Sequence, residues 1–286
     1  FLYRLERERF MLTSDAASAD RVVDWMWRAN ERDVIIDPIM PGKMIDGPVT
    51  LKDLSEPGEE SAGGLALQGP MSLCILQALA EATAERASLG RLPPNAFVPV
   101  TLGGVRTLVA RTGYTGETIG FEIYAQRDAL PDLWSAIMEA GRPMGLLPSG
   151  LGARDSTRVE AGLLLFGHEL EGGLGIALTE AGYGFVVRYH VPFFIGRERY
   201  MERMAQSRRH LIRLKGSGRK SLRPGHLILD ESQQPVGEVT SFAYVSDAMD
   251  FIVLALVDRA FRPEPGAAVA GARIARQRGQ GHCFAG

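Results

Sequence analysis

Apolar residues recur along the first two thirds of the chain at periods that alternate between those of strands and helices. Val22, Val23 and Met26 recur at helical spacing after about Ser18. Two further helices are predicted behind Pro70 and Pro131, because proline is favoured in the first helical turn. The apolar stripe of the helix after Pro70 is predicted as Met71, Cys74, Ile75, Ala78, Leu79 and Ala82, with Cys74 as a small core residue, and that of the helix after Pro131 as Leu133, Trp134, Ile137 and Met138. Strands are predicted at 1–5, 10–13, 97–100, 106–111 and 121–125, which together indicate an α+β fold.

Beyond about residue 205 the pattern changes to short strands separated by Pro and Gly. The predicted strands are 211–214, 226–229, 236–242, 251–257 and 268–275. Short strands at this spacing are typical of a small barrel or sandwich. We therefore predict a separate C-terminal β-domain.

Composition excludes several classes of function. The net charge of -2 gives no overall attraction to nucleic acid or membranes, and no apolar run approaches the roughly 18 residues of a membrane helix. The two cysteines have no metal-ligand or disulfide spacing. We expect no metal site and a protein of the reducing cytosol.

One segment departs from the nearly neutral charge of the whole chain. Residues 197–223 contain ten Arg or Lys but only Glu198 and Glu202 as acids. Such a local positive field would help to dock an acidic partner, although a solvated interdomain helix and linker with its charges facing water would have the same composition.

Charged residues also interrupt an apolar, small-residue helical segment, Ser149 to Leu170. Arg154 and Arg158 are four residues apart and share a helix face, with Asp155 and Glu160 close by. The pattern fits an internal salt-bridge network or a ligand site equally well, since buried charges need partners.

A second motif gives these charges a context. The stretch Arg111-Thr-Gly-Tyr-Thr-Gly-Glu-Thr-Ile-Gly-Phe-Glu-Ile-Tyr124, followed by Gly150-Leu-Gly-Ala-Arg-Asp-Ser-Thr-Arg-Val-Glu-Ala-Gly162, resembles the glycine-cleavage T-protein (aminomethyltransferase) family of folate-binding proteins. Ala66-Leu-Gln-Gly-Pro70 and Gly237-Glu-Val-Thr-Ser241 are similar to further landmarks of that family. The resemblance covers nearly the whole chain.

The resemblance implies a multidomain, ring-like arrangement around a central tetrahydrofolate. On this basis we expect the remainder of a first folate-binding domain at 1–62, a second α+β domain at 63–205 and a small β-barrel at 206–286. It also implies a tetrahydrofolate-dependent one-carbon (aminomethyl or methyl) transferase, served by a lipoyl carrier protein or a small one-carbon donor. A tetrahydrofolate-linked demethylase and a non-catalytic folate-binding or regulatory protein remain alternatives.

The resemblance assigns cofactor-binding residues one by one. Glu122 and Arg154 match the family's folate ligands, and Phe185 matches a tryptophan that packs on the cofactor. Met11 and Thr13 match a strand that lines the pocket. A carboxylate at Glu122 can accept two hydrogen bonds from the adjacent N–H donors of a pterin, although from the strand alone it could simply face solvent.

The sequence also departs from the family pattern. Thr118-Ile119 replaces a single Asp before Glu122. The family's catalytic Asp would lie about two positions before Phe1, where the first domain would also continue. We therefore expect no catalytic residue within the chain as given, and little transfer activity from it.

Overall fold

A computed structural model of the 286-residue chain describes residues 1–170, 175–218, 222–230, 232–245, 250–261 and, for the backbone, 273–275. The described residues form two compact units. The first comprises Phe1–Ser14 and Val49–Arg154, and the second comprises Asp15–Pro48 and Asp155–Gly286. The chain thus passes between the units three times.

The first unit contains two sheets, three α-helices and the start of a fourth. Its helices are α2 (Ser72–Leu79), α3 (Thr83–Arg91) and α4 (Leu130–Gly141), with the first residues of α5 (Leu151–Ala161). Strands β1 (Leu2–Arg4) and β2 (Phe10–Leu12) form an antiparallel pair, and β3 (Ala62–Gln68), β4 (Phe97–Leu102), β5 (Val105–Ala110) and β6 (Gly120–Gln126) form an antiparallel sheet in the order β3-β6-β5-β4. The strands predicted at 1–5, 10–13, 97–100, 106–111 and 121–125 are confirmed, whereas β3 was not predicted.

Two helices cover one face of the four-stranded sheet. Ile75 and Leu76 of α2 and Leu133 and Ile137 of α4 pack into one buried cluster with Phe121 and other apolar residues of the sheet. The predicted stripe of α2 was therefore wrong by part of a turn. Leu76 takes the core position, and Cys74 is exposed rather than a core residue. Trp134 of α4 is likewise 42% exposed, because Leu133 and Ile137 already fill that contact.

The second unit is built on a five-stranded antiparallel sheet. It also contains helices α1 (Ala19–Asn30) and α6 (Arg197–Gln206) and most of α5. Its strands are β7 (Arg209–Ser217), β8 (Leu227–Leu229), β9 (Pro235–Tyr244), β10 (Asp250–Asp258) and β11 (Arg273–Ala275), in the order β11-β8-β9-β10-β7. The predicted strands are confirmed here, except that 268–272 lie outside the described residues. In the part of the chain that the structure describes, this sheet is open, with β11 and β7 at its edges, and is not closed into the predicted barrel.

Strand β10 is buried on both faces. Ile252, Leu254 and Leu256 pack with Val159 of α5, whereas Val253, Ala255 and Val257 belong to a separate cluster with Leu214, Ile228 and Val239. A strand with two covered faces needs a continuous apolar run rather than alternation. The run Phe251–Val257 meets that need.

The salt-bridge interpretation of the charged segment 149–170 is confirmed for Arg158. Its guanidinium donates to Asp155 Oδ1 at 2.7 Å, Glu169 Oε2 at 2.7 Å and Ser241 Oγ at 2.9 Å. Arg158 and Glu169 have almost no exposed surface, and Glu169 also accepts hydrogen bonds from Leu165 N and Ser241 Oγ. The network thus joins α5 to β9. Glu160 is exposed and takes no part through its side chain.

We expect the substitution Glu169→Gln to lower the free energy of unfolding by about 3 kcal/mol, because removing one charge of a buried pair leaves the other uncompensated. Urea denaturation followed by circular dichroism measures the change. Glu160→Gln alters an exposed site on α5, the helix that carries Arg158, and is the control; it should stay within about 0.5 kcal/mol of the parent. Equal stability of the two variants would show that the network adds nothing to the fold.

Candidate functional site

Glu122 lies near the middle of β6, on the face of the sheet opposite to the helices. Its chain neighbours Phe121 and Ile123 are buried in the core, as the alternation of a strand requires. Across the sheet, Glu122 pairs with Ala66 on β3 and with Ala110 on β5. The half-buried carboxylate therefore stands between two small side chains.

Two tyrosines hold this carboxylate. Tyr124 donates its hydroxyl to Glu122 Oε2 at 2.8 Å, and the Tyr3 hydroxyl lies 3.3 Å from both Glu122 Oε2 and Tyr124 Oη. Both hydrogen bonds fall on Oε2. Among the described residues no donor reaches Oε1. The carboxylate of Glu122 thus has hydroxyl partners and does not contact solvent alone.

The environment keeps both phenols protonated. Burial, then the hydrogen bonds with Tyr3 and Glu122, raise the pKa of Tyr124 well above the ordinary value. Burial raises the pKa of Tyr3, with a further contribution from the negative charge of Glu122, although its hydrogen bond with Tyr124 opposes the shift. Both hydroxyls remain neutral at physiological pH and can donate to Glu122.

Gln68 fixes the loop that leads into β6. Its amide donates to the carbonyls of Thr112 and Phe121, at 3.3 and 3.2 Å, and accepts from Thr115 Oγ1. The same side chain lies so close to Gly113 and Gly120 that a Cβ at either position would collide with it. A larger residue at either glycine would force the Gln68 amide to shift away from the loop carbonyls that it contacts. Ile119, part of the unusual Thr118-Ile119 pair, accepts from Gly69 N and packs at the rim of the core.

Met11 and Thr13 lie on the same side of the β1–β2 pair as Tyr3. Met11 is the cross-strand partner of Tyr3, and Thr13, two residues further, shares that face. Both are partly buried. The hairpin therefore presents these two predicted residues beside the tyrosine that reaches Glu122.

Arg154 contacts the first long motif through an aromatic ring. Its guanidinium carbon lies 5.7 Å from the centre of the Tyr114 ring, within the range of a cation–π interaction. The side chain of Arg154 is exposed. The two motifs that carry the family resemblance thus meet at this contact, whereas the described contacts of Glu122 are with Tyr3 and Tyr124.

Phe185 belongs to the second unit and lies in a short 3₁₀ turn, Gly184–Val186. Its ring is 81% exposed and stacks on Tyr183 with the centroids 5.9 Å apart. The ring is available to pack on a ligand, and its role as a cofactor contact stays a prediction.

The described residues of the basic segment lie mostly in a helix and a strand. Its first part forms α6 and its middle part forms β7, while Arg219 and Lys220 lie outside the described residues. Several of its cations pair with acids: Arg197 with Glu198, Arg199 with Glu202, Arg209 with Glu180 and Lys215 with Asp250. The positive field is therefore weaker than the sequence suggested. Arg203, Arg208 and Arg223 are exposed and have no ion pair within the described ranges.

Within the residues that the structure describes, no group of three or more His, Cys, Asp or Glu side chains is placed to hold a metal ion. No described helix combines the length and the apolar character needed to cross a membrane.

Comparison with known proteins places this geometry in a family. Residues 1–190 match the family model described as the GCVT N-terminal domain. The chain is 34% identical over 279 residues to the aminomethyltransferase of Streptomyces avermitilis, covering 96% of this chain and 67% of that protein. It belongs to the glycine-cleavage T-protein (aminomethyltransferase) family. The aminomethyltransferase of Moorella thermoacetica is 42% identical over 194 residues, covering 68% of this chain and 50% of that protein.

A solved T-protein has the same fold. The crystal structure of glycine cleavage system aminomethyltransferase T from Bartonella henselae aligns with a TM-score of 0.55 and 27% identity, covering 70% of this chain and 52% of that one. The multidomain α+β fold of the T-protein family is confirmed. The chain spans about half to two thirds of the length of these relatives.

Sequence reasoning missed three tyrosines of this candidate site. Tyr124 follows Glu122 by two residues on the same strand face, and Tyr114 lies within the first motif, so both gave a local signal. Tyr3 is 119 residues from Glu122 in the sequence and gave none.

Because folding raises the pKa of Tyr3 and Tyr124, the stability linked to them is fully present below about pH 10, the unfolded value, and is lost as the pH rises toward the folded values. We expect Tyr124→Phe to lose less stability than the parent between about pH 9 and 11. Urea unfolding at each pH measures the difference.

The control is Tyr189→Phe, which alters an exposed tyrosine of the second unit. It should follow the parent across the alkaline range. Parallel pH profiles for Tyr124→Phe and the parent would contradict the linkage.

Proposed function

We propose that this chain contributes the pterin-binding part of a tetrahydrofolate-dependent aminomethyltransferase of the glycine-cleavage T-protein type. The observation that carries the proposal is the Glu122 carboxylate. It lies between Ala66 and Ala110, with Oε2 held by two neutral hydroxyls and Oε1 without a donor among the described residues.

These residues fit a pterin. Its adjacent ring N–H and amino groups form a pair of donors, and an ionised carboxylate accepts such a pair in a bidentate, charge-assisted way. The small alanines beside Glu122 leave room for a flat ring, whereas larger residues there would crowd it. When bound, tetrahydrofolate would supply the acceptor nitrogens for the one-carbon unit, one in the pterin ring and one in the adjoining linker. Glu122 would bind and orient that ring system.

The family match supports the remaining parts of the proposal. Arg154, Phe185, Met11 and Thr13 are proposed as further cofactor contacts. The proposal also includes three domains, at 1–62, 63–205 and 206–286, in a ring-like arrangement. It further includes closure of the C-terminal strands into a barrel and a cytosolic location.

Glu122→Ala should weaken the binding of tetrahydrofolate by about 1.5 to 3 kcal/mol, the usual contribution of a hydrogen bond to a charged group. Isothermal titration calorimetry measures the change, and circular dichroism checks the fold. Glu139→Ala removes an exposed carboxylate from α4 of the same unit and should bind like the parent. Unchanged affinity of a folded Glu122→Ala variant would remove Glu122 from the site.

We further propose that the donor arrives on an acidic lipoyl carrier protein, which contacts the exposed cations of the basic segment. Replacing Arg203, Arg208 and Arg223 together by Gln should slow association with the carrier and flatten its dependence on salt, because long-range attraction between charges is screened. Stopped-flow association at several salt concentrations measures both. Arg199→Gln, whose cation is already paired with Glu202, is the control and should change little. Equal rates for the triple variant and the parent at low salt would refute the docking role.

A further inference from the structure

The carboxylate of Glu122 has two hydroxyl partners on one of its oxygens. Tyr124 donates to Oε2 at 2.8 Å from the same strand, and the Tyr3 hydroxyl reaches Oε2 and Tyr124 Oη at 3.3 Å from the β1–β2 pair. Because Tyr124 donates its own proton to Glu122, the Tyr3 hydroxyl can donate its single proton either to Glu122 Oε2 or to Tyr124 Oη. The three groups therefore form a small network that ends at one atom of the proposed ligand contact.

Packing fixes both rings. Tyr3 is only 5% exposed and meets the rings of Phe97 and Tyr124 edge to face, at centroid distances of 5.8 and 5.7 Å. Tyr124 on β6 is the cross-strand partner of Gly64 on β3. A Cβ added to Gly64 would lie 3.2 Å from carbons of the Tyr124 ring. Gly64 thus leaves the space that the Tyr124 ring fills, and neither hydroxyl can move far from Glu122.

The donors are neutral, which matters for a ligand. An Arg or Lys at this place would neutralise the carboxylate, as Arg158 does for Glu169 in the second unit. Phenols that stay protonated restrain the carboxylate without cancelling its charge, so the charge remains available to an external donor. The raised pKa of each phenol keeps this arrangement intact across the physiological range.

We propose that Tyr3 and Tyr124 are positioning residues for Glu122: they hold Oε2 so that the carboxylate presents a fixed, still negative edge to a ligand with two adjacent N–H donors. The proposal rests on the proposed function, since it takes a pterin as that ligand. It gives the β1–β2 pair a part in ligand selection through the hydroxyl of Tyr3.

A double-mutant cycle tests this role. The probe is the stable 5-formyl derivative of tetrahydrofolate, titrated by calorimetry into the parent, Tyr124→Phe, Tyr3→Phe, Glu122→Ala and the double variants. Tyr124→Phe should weaken binding about tenfold, and Tyr3→Phe about threefold because its hydrogen bond is longer. In the Glu122→Ala background each tyrosine substitution should change the affinity by no more than about twofold, because its effect acts through Glu122.

A measurement without ligand tests the contact itself. In alkaline absorbance titrations, Glu122→Ala should let Tyr124 and Tyr3 ionise at lower pH than in the parent, because the negative charge that opposes their ionisation is gone. Tyr189→Phe is the control for the calorimetric experiment and should bind the probe like the parent. Unchanged tyrosine ionisation in Glu122→Ala would contradict the network.

The outcomes separate the two proposals. If Glu122→Ala binds the probe as tightly as the parent, the proposed function fails. If Glu122→Ala weakens binding but neither tyrosine variant does, the positioning role is wrong while the proposed function stands. Equal losses from Tyr124→Phe with and without Glu122 would also overturn positioning, because the tyrosine would then act independently of the carboxylate.

Discussion

Side chains along β6 point alternately to the two faces of its sheet. This alternation determines which residues the first unit buries in its core and which lie on the opposite face. Phe121, Ile123 and Ala125 enter the core beneath the helices, and this burial fixes the register of the strand against its neighbours. A slip of one residue would turn Glu122 into the apolar core, where an unpaired charge is very costly. The position of the carboxylate is therefore set by hydrophobic burial on the opposite face, and the tyrosines adjust only its orientation.

Two carboxylates illustrate how the surroundings divide a structural role from the ligand-binding role proposed for Glu122. Glu169 is fully buried and is satisfied by Arg158, Ser241 and a backbone amide. Glu122 is half-buried and is held by neutral hydroxyls at one oxygen only. Both lie close to the motifs that define the T-protein resemblance. The motif around Arg158 thus owes part of its residue pattern to the internal network, whereas the motif around Glu122 combines a turn fixed by Gln68 with an accessible acceptor.

Much of the local structure could be predicted from the sequence, because strand alternation and proline at helix starts are local signals. The placement of Glu122 opposite Phe121 and Ile123 is one such success. The apolar stripe of α2 was wrong, since Cys74 and Leu76 are both apolar and only the tertiary contact decides which faces the sheet. Tyr3 could not be predicted as a partner of Glu122, because the folded chain brings together residues 119 positions apart. The edge strands of the five-stranded sheet could not be predicted either, because strand order depends on pairing between segments that are distant in the sequence.

The interleaving of the two units in the chain has a consequence for synthesis. Residues 15–48, including the amphipathic helix α1, leave the ribosome before the segment 49–154, and the rest of their unit follows only after Arg154. At about 5 to 20 residues per second, roughly 5 to 20 s separate the helix from its partners. Once Arg154 has been made, both segments of the first unit are present and can pack together, whereas the apolar face of α1 still lacks the segment that follows residue 154. The order of the segments along the chain therefore makes the second unit the slower and more vulnerable of the two to complete.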